Sequence, residues 1–229
     1  MESFLAWLKQ LQFDGIWQTA LLVAASLLAI TVHETSHGYA AYRLGDPTAK
    51  RQGRLTLNPL RHVDLWGLAM MALFRFGWAK PVPVDPRYFK KPKAGMALTA
   101  LAGPASNVLL AYAATVLTDC TLFFYLRFQR EWLYPVYVFL TYLALINAGL
   151  AVFNLIPIPP LDGSKVLFAV LPDSAYAWLM RYERWGMLLL MLLLTLGVID
   201  TPLSFLRDGL MELLGTLSLW VLRLLDAIF

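Results

Sequence analysis

Residues 15–47 read GIWQTALLVAASLLAITVHETSHGYAAYRLGDP, and this stretch decides how the rest of the chain is read. No Asp, Glu, Lys or Arg occurs from Gly15 to His33, a run close to the roughly 20 residues a helix needs to cross a bilayer core. The run ends in His33-Glu34-Thr35-Ser36-His37. On a helix, positions i and i+4 share one face, so both imidazoles can meet a single zinc ion. Glu34 lies on the adjoining face, where its carboxylate can take a proton from a water that the metal activates. HExxH has chance matches, but this setting argues against chance: a carboxylate and two imidazoles among apolar residues are costly to bury without a partner. Gly45-Asp46-Pro47 stops the helix, which is expected over about residues 15–44.

The remaining sequence is of the same kind. The 229 residues are 59% hydrophobic with a mean hydropathy of +0.60, well above a soluble domain. Ala94–Thr118 and Trp132–Leu161 are further uncharged stretches of spanning length. Trp185–Ile199 is shorter and spans only with its flanks. Leu203–Phe229 is helical in pattern but carries Arg207, Asp208, Glu212, Arg223 and Asp226, which fits a span or an interfacial helix equally. Met1–Phe13 lacks a basic leader and a small-residue cleavage site, and reads as a short interfacial segment. Cys120 is the only cysteine, which excludes an intrachain disulfide and a thiolate zinc cluster.

Charge is informative by position. Eleven of the nineteen basic residues lie between Arg43 and Lys93, against Asp46, Asp64 and Asp85. Beside membrane spans this excess reads as a cytoplasmic loop under the positive-inside rule, not as a nucleic-acid surface. The loop expected at Asp119–Glu131 is balanced and fits the opposite side. The chain is therefore expected to be a multi-pass protein of the cell (plasma or inner) membrane, with the metal at shallow depth from the cytoplasmic face.

Between the spans, Arg51–Asn58 alternates Leu55 and Leu57 with Arg54 and Thr56 and predicts a short strand. Leu65–Phe74 is too short to cross and predicts a re-entrant or interfacial loop. Pro81, Pro83, Pro86 and Pro92 make Gly77–Pro92 an extended loop or hairpin. The fold expected is an all-α polytopic membrane protein with a small β-hairpin or sheet and a re-entrant loop at the cytoplasmic side. One membrane-embedded domain covers 1–229, its core about 15–171 and its C-terminal helices about 185–229, with no internal repeat or appended module.

A catalytic zinc needs a third protein ligand and an open position. Asp162 is preferred: no other acid follows Glu131 before it, and Pro159-Pro160 and Gly163 fix its backbone. Its alternative role is the N-cap of a helix at Gly163–Leu171. His62 competes as a ligand, but it lies in a basic, loop-like stretch just before Asp64, where a fixed loop contact or a place at the substrate entrance is favoured.

Five ordered motifs resemble the site-2 protease-like intramembrane zinc metalloproteases, in the compact subgroup without a PDZ module. They are HETSHGYAA (33–41), GRLTLNPLRHVD (53–64), GWAKPVPV (77–84), AGPASN (102–107) and NLIP (154–157) through Asp162-Gly163. The chain departs from the pattern at Leu65-Trp66-Gly67, where relatives often carry a proline, and at Asp85, where asparagine is common. The resemblance implies a three-helix catalytic core, one zinc held by His33, His37 and Asp162, Glu34 as catalytic base, and Asn154 and Asn107 as polar groups near the substrate or the transition state. It implies cleavage of transmembrane segments of other membrane proteins. The structural alternative for each asparagine is a hydrogen bond across helices or to broken backbone. A cleavable helix must unwind locally, and Arg54, Leu55, Thr56 and Leu57 are expected to offer a strand edge to the extended substrate. Two other function classes stand beside this one, a catalytically inactive binding relative and a membrane zinc carrier. The oligomeric state is left open.

Overall fold

The computed structural model describes residues 15–64, 80–172 and 185–229, which are mostly helical. In chain order the helices are α1 (Ile16–Arg43), a single turn α2 (Thr48–Arg51), α3 (Pro92–Phe128), α4 (Leu133–Asn154), α5 (Asp162–Val170), α6 (Trp185–Thr195) and α7 (Asp200–Ile228). Three of them, α1, α3 and α4, are long and apolar enough to cross a membrane. Their 28, 37 and 22 residues correspond to about 42, 55 and 33 Å of helix, against a hydrocarbon core of about 30 Å. A fourth span is available only if α6 and α7, bent by 85° at their junction, count as one.

The end of α1 follows from its punctuation. Gly45 adopts a φ of +110°, which turns the chain out of the helix at little steric cost, and the Asp46 N–H closes the last turn on the Ala41 carbonyl at 2.9 Å. Asp46 is fully buried. Its Oδ1 accepts from the Thr48 N–H at 2.9 Å, and its Oδ2 from the Asp85 N–H at 2.7 Å. One carboxylate thus starts α2 and ties down the proline-rich segment.

Two expectations are corrected. No strand occurs among the described residues, so the β-hairpin is not found. At 54–57 the Thr56 carbonyl accepts from the side chains of Thr35 and His62, each at 2.9 Å, where a sheet would have supplied a backbone N–H. The charged loop expected from Asp119 begins only at Gln129, because α3 continues to Phe128. Asp119 is accommodated there by the Ser218 hydroxyl, which donates to its Oδ2 at 2.5 Å. The expected interfacial segment at Met1–Phe13, the re-entrant loop at Leu65–Phe74 and the start of the proline-rich loop at 77–79 lie outside the described residues.

The chain groups into two compact units. One comprises 15–29, 107–153 and 188–229. Its core packs Ala25, Ala114 and Ala144 with Val138, Tyr142 and Leu143, while Ala111 and Ala148 pack with Leu214. Small residues of this kind let membrane helices approach closely. Asn107 is fully buried here and donates to Asn147 Oδ1 at 2.6 Å and to the Ala29 carbonyl at 3.4 Å. The other unit comprises 30–64, 80–106, 154–172 and 185–187, and it holds the histidine pair, Glu34 and Asp162.

Candidate metal centre

The helical rise of α1 puts His33 and His37 one turn apart on the same face, and the start of α5 brings Asp162 to them across 125 residues of sequence. All three are buried. His37 Nε2 lies 3.0 Å from His33 Nε2, and Asp162 Oδ2 lies 3.2 Å from the first imidazole and 3.1 Å from the second. Among the described residues this is the group of ligand-type side chains that converges on one point.

The donor chemistry fits a zinc ion. His37 Nδ1 faces only the Thr99 carbonyl oxygen, at 2.7 Å, so the proton of the neutral ring sits on Nδ1 and a lone pair projects from Nε2. That lone pair points at a carboxylate oxygen, an arrangement that needs a cation or a second proton between the two atoms. Three donors each about 2.0–2.1 Å from a tetrahedral zinc are roughly 3.3 Å apart, which is within a few tenths of an ångström of the triangle seen here. A carbonyl that fixes the far nitrogen of a ligand imidazole is also the usual support of such a site.

Two glycines make room for the triangle. A Cβ at Gly103 on α3 would collide with the His37 ring and press on that of His33. A Cβ at Gly163 would run into the Leu155 backbone, so the turn from α4 folds back onto itself only with glycine there. Asp162 does not act as an N-cap: Leu161 holds that position and Asp162 is the first residue of α5. Its Oδ2 faces the imidazoles, while Oδ1 faces Lys165 Nζ at 3.4 Å. Burial alone would raise the Asp162 carboxyl, but the imidazoles of His33 and His37 and the Lys165 ammonium hold it below the usual carboxylate range.

Glu34 stands beside this group, and its Oε2 accepts the Val82 N–H at 2.9 Å. Gly38 lets the loops come this close to α1, since a Cβ there would meet Leu55 Cδ2 at 2.7 Å and Val82 Cγ1 at 3.0 Å. His62 is not part of the triangle. It is 1% exposed, and its Nε2–H donates to the Thr56 carbonyl with the Thr35 hydroxyl 3.5 Å away. Its backbone carbonyl accepts the Lys80 N–H at 2.9 Å. The sequence offered a fixed loop contact or a place at the substrate entrance, and these bonds are loop contacts.

Of the four residues expected along a substrate edge, Arg54 is buried and Leu57 is exposed. The Arg54 N–H is bonded to the Ala49 carbonyl at 2.9 Å. Asn154 ends α4, half-buried and in the same unit as the triangle. Lys165, Gly103, the Thr99 carbonyl and the Val82 N–H were not foreseen. Lys165 had a signal, its i+3 spacing from Asp162 on a helix. Backbone groups of Thr99 and Val82 leave no mark in side-chain composition.

Comparison with known proteins agrees with this chemistry. Residues 129–196, which include Asn154 and Asp162, match peptidase family M50. The protein YwhC of Bacillus subtilis, whose name is that of a zinc metalloprotease, is 35% identical over 200 residues, covering 86% of this chain and 91% of its own. Rip2 of Mycolicibacterium smegmatis, also named for zinc metalloprotease activity, is 29% identical over 205 residues, covering 83% of this chain and 73% of its own. Rip2 of Mycobacterium tuberculosis H37Rv is 29% identical over 202 residues, with 82% and 73% covered. No solved structure matches the chain.

Proposed function

As a member of peptidase family M50 this chain is a membrane-bound zinc metalloprotease, and we propose that it cleaves transmembrane segments of other membrane proteins. The observation that carries the proposal is the His33, His37 and Asp162 triangle, set beside Glu34 on a helix that is otherwise apolar enough to cross a bilayer. We assign these three side chains as ligands of one zinc per chain. When bound, zinc supplies the Lewis acidity that acidifies water and polarises a peptide carbonyl.

The protein groups then divide the work. The Val82 N–H holds Glu34 Oε2, which leaves Oε1 to accept the proton of the attacking water and pass it to the departing amine. Lys165 holds Asp162 Oδ1 away from the imidazoles, so that Oδ2 alone serves as ligand. Asn154 is the amide we assign to the substrate, from its place at the end of α4 in the unit that holds the triangle, whereas Asn107 bonds to Asn147 and the Ala29 carbonyl in the other unit. His62 pins Thr56 beneath α1 and takes no part in ligation.

The depth and orientation we propose rest on α1. His33 is the eighteenth of its 28 residues, so the site lies toward the C-terminal end of the span. The basic excess of Arg43–Lys93 follows directly, and under the positive-inside rule it supports a site nearer the cytoplasmic face of the cell membrane. For the substrate we keep the stretch 54–57 as the pairing edge, now without Arg54, whose side chain is buried. Leu55 and Leu57 are the positions assigned to main-chain bonding with an unwound substrate. Proline at either position should lower cleavage about tenfold or more without changing zinc content, since proline removes the N–H. Unchanged cleavage by both folded variants would dismiss the pairing edge.

The direct test uses the purified protein in bilayer nanodiscs with a single-span substrate. Cleavage should stop on treatment with a zinc chelator and return with added zinc, and the new termini should map inside the hydrophobic segment. Termini confined to extramembrane loops, or cleavage indifferent to chelation, would refute the proposal.

A further inference from the structure

Arg54 is a buried cation that the chemistry above does not use. It is 6% exposed, and among the described residues no carboxylate pairs with it. Its Nη2 instead donates to the carbonyls of Lys80, at 2.6 Å, and Pro81, at 3.2 Å. Its Nε is buried without a hydrogen-bond partner. A guanidinium kept in such a place without an acid is energetically unfavourable by itself, so what it holds is informative.

The Pro81 carbonyl and the Val82 N–H belong to the same peptide group. That group is planar, and in the trans form its C=O and N–H point in opposite directions. On one side it receives Arg54, and on the other it donates to Glu34 Oε2 at 2.9 Å. Orienting the carbonyl therefore orients the N–H. A cation on the oxygen also polarises the group and strengthens the N–H as a donor. Pro81 and Pro83 have no N–H, so within 81–83 Val82 supplies the one donor available to the carboxylate. The preceding residue is held as well, since the Lys80 N–H bonds to the His62 carbonyl at 2.9 Å.

We propose that Arg54 is a positioning residue for Glu34, acting through the Pro81–Val82 peptide group. The inference rests on the reading of Glu34 as the catalytic base. Arg54 bonds to the Lys80 and Pro81 carbonyls and not to the metal ligands, and its effect is on the orientation of a carboxylate two hydrogen bonds away.

The test compares Arg54→Gln, Arg54→Lys, Val82→Pro and the double variant Arg54→Gln/Val82→Pro, measuring kcat, KM and zinc content in nanodiscs. Arg54→Gln should lower kcat about 10- to 100-fold, in line with the loss of a supporting contact in a metal site. Its KM should stay within about threefold and its zinc content should be that of the unsubstituted enzyme. Arg54→Lys, which keeps a cation within reach of a carbonyl, should recover part of kcat. The double variant should be no slower than the slower single variant, because both substitutions break one chain of contacts. A kcat within threefold for Arg54→Gln, a parallel loss of zinc, or losses that multiply in the double variant would each overturn the inference. Should Arg54→Gln misfold, the lysine and proline variants still decide. Glu34→Gln is run alongside, and full activity there would strike the base assignment itself and not the role of Arg54.

Discussion

Glu34→Gln is expected to lower cleavage about 10²- to 10⁴-fold, the range spanned by a positioned general base, while zinc remains bound. Glutamine has nearly the shape of glutamate, and its amide oxygen can still accept the Val82 N–H that now holds Oε2 at 2.9 Å. What it lacks is a basic oxygen for the proton. Because Glu34 is not one of the three converging ligand atoms, metal analysis of the variant should match that of the parent enzyme. The same variant separates the function classes. A membrane zinc carrier would still move zinc, and an inactive binding relative would be indifferent. Only a peptidase loses its turnover. Equal cleavage by parent and variant would remove Glu34 from the mechanism.

The sequence was most legible where side chains determine the outcome. The apolar run and the Gly45-Asp46-Pro47 punctuation bounded α1 to within a residue or so of its observed Ile16–Arg43. The i, i+4 histidines and an acid isolated in apolar sequence identified the triangle. It was least legible where the partner lies far off in the chain. Asp119 looked like the start of a loop because its neighbours cannot satisfy it, but Ser218 can, 99 residues away. The alternation at 54–57 has the period of a strand, yet the Thr56 carbonyl is satisfied by Thr35 and His62 side chains. Arg54 shows the same limit. Its place in the alternation indicated a strand edge for the substrate, and its side chain instead bonds to a pair of backbone carbonyls 26 and 27 residues on.

Gly103→Ala should abolish zinc binding at ordinary metal concentrations and with it cleavage, although nothing about residue 103 is a ligand. In a helix interior this substitution normally stabilises by about 0.5–1 kcal/mol. Here the added methyl would fall on the His37 ring and against His33. The ring cannot swing aside freely, because its Nδ1–H is held by the Thr99 carbonyl at 2.7 Å, one turn before Gly103 on the same helix. Either that bond breaks or α3 withdraws, and both displace an Nε2 that must lie about 2.0–2.1 Å from the ion. A support lost in this way lowers metal affinity about 10- to 100-fold, and displacement of a ligand atom adds to that. Two measurements read the outcome together: zinc per chain, and the unfolding midpoint of the zinc-free protein. The zinc-free midpoint should fall only modestly, because the helix gain from alanine offsets part of the loss of a buried hydrogen bond, while zinc and cleavage fall far more. A variant that keeps its zinc and cleaves within twofold of the parent would mean that the imidazoles do not rest on α3 at Gly103. A zinc-free variant that no longer unfolds cooperatively would mean that the substitution acts through loss of the fold and not at the metal site.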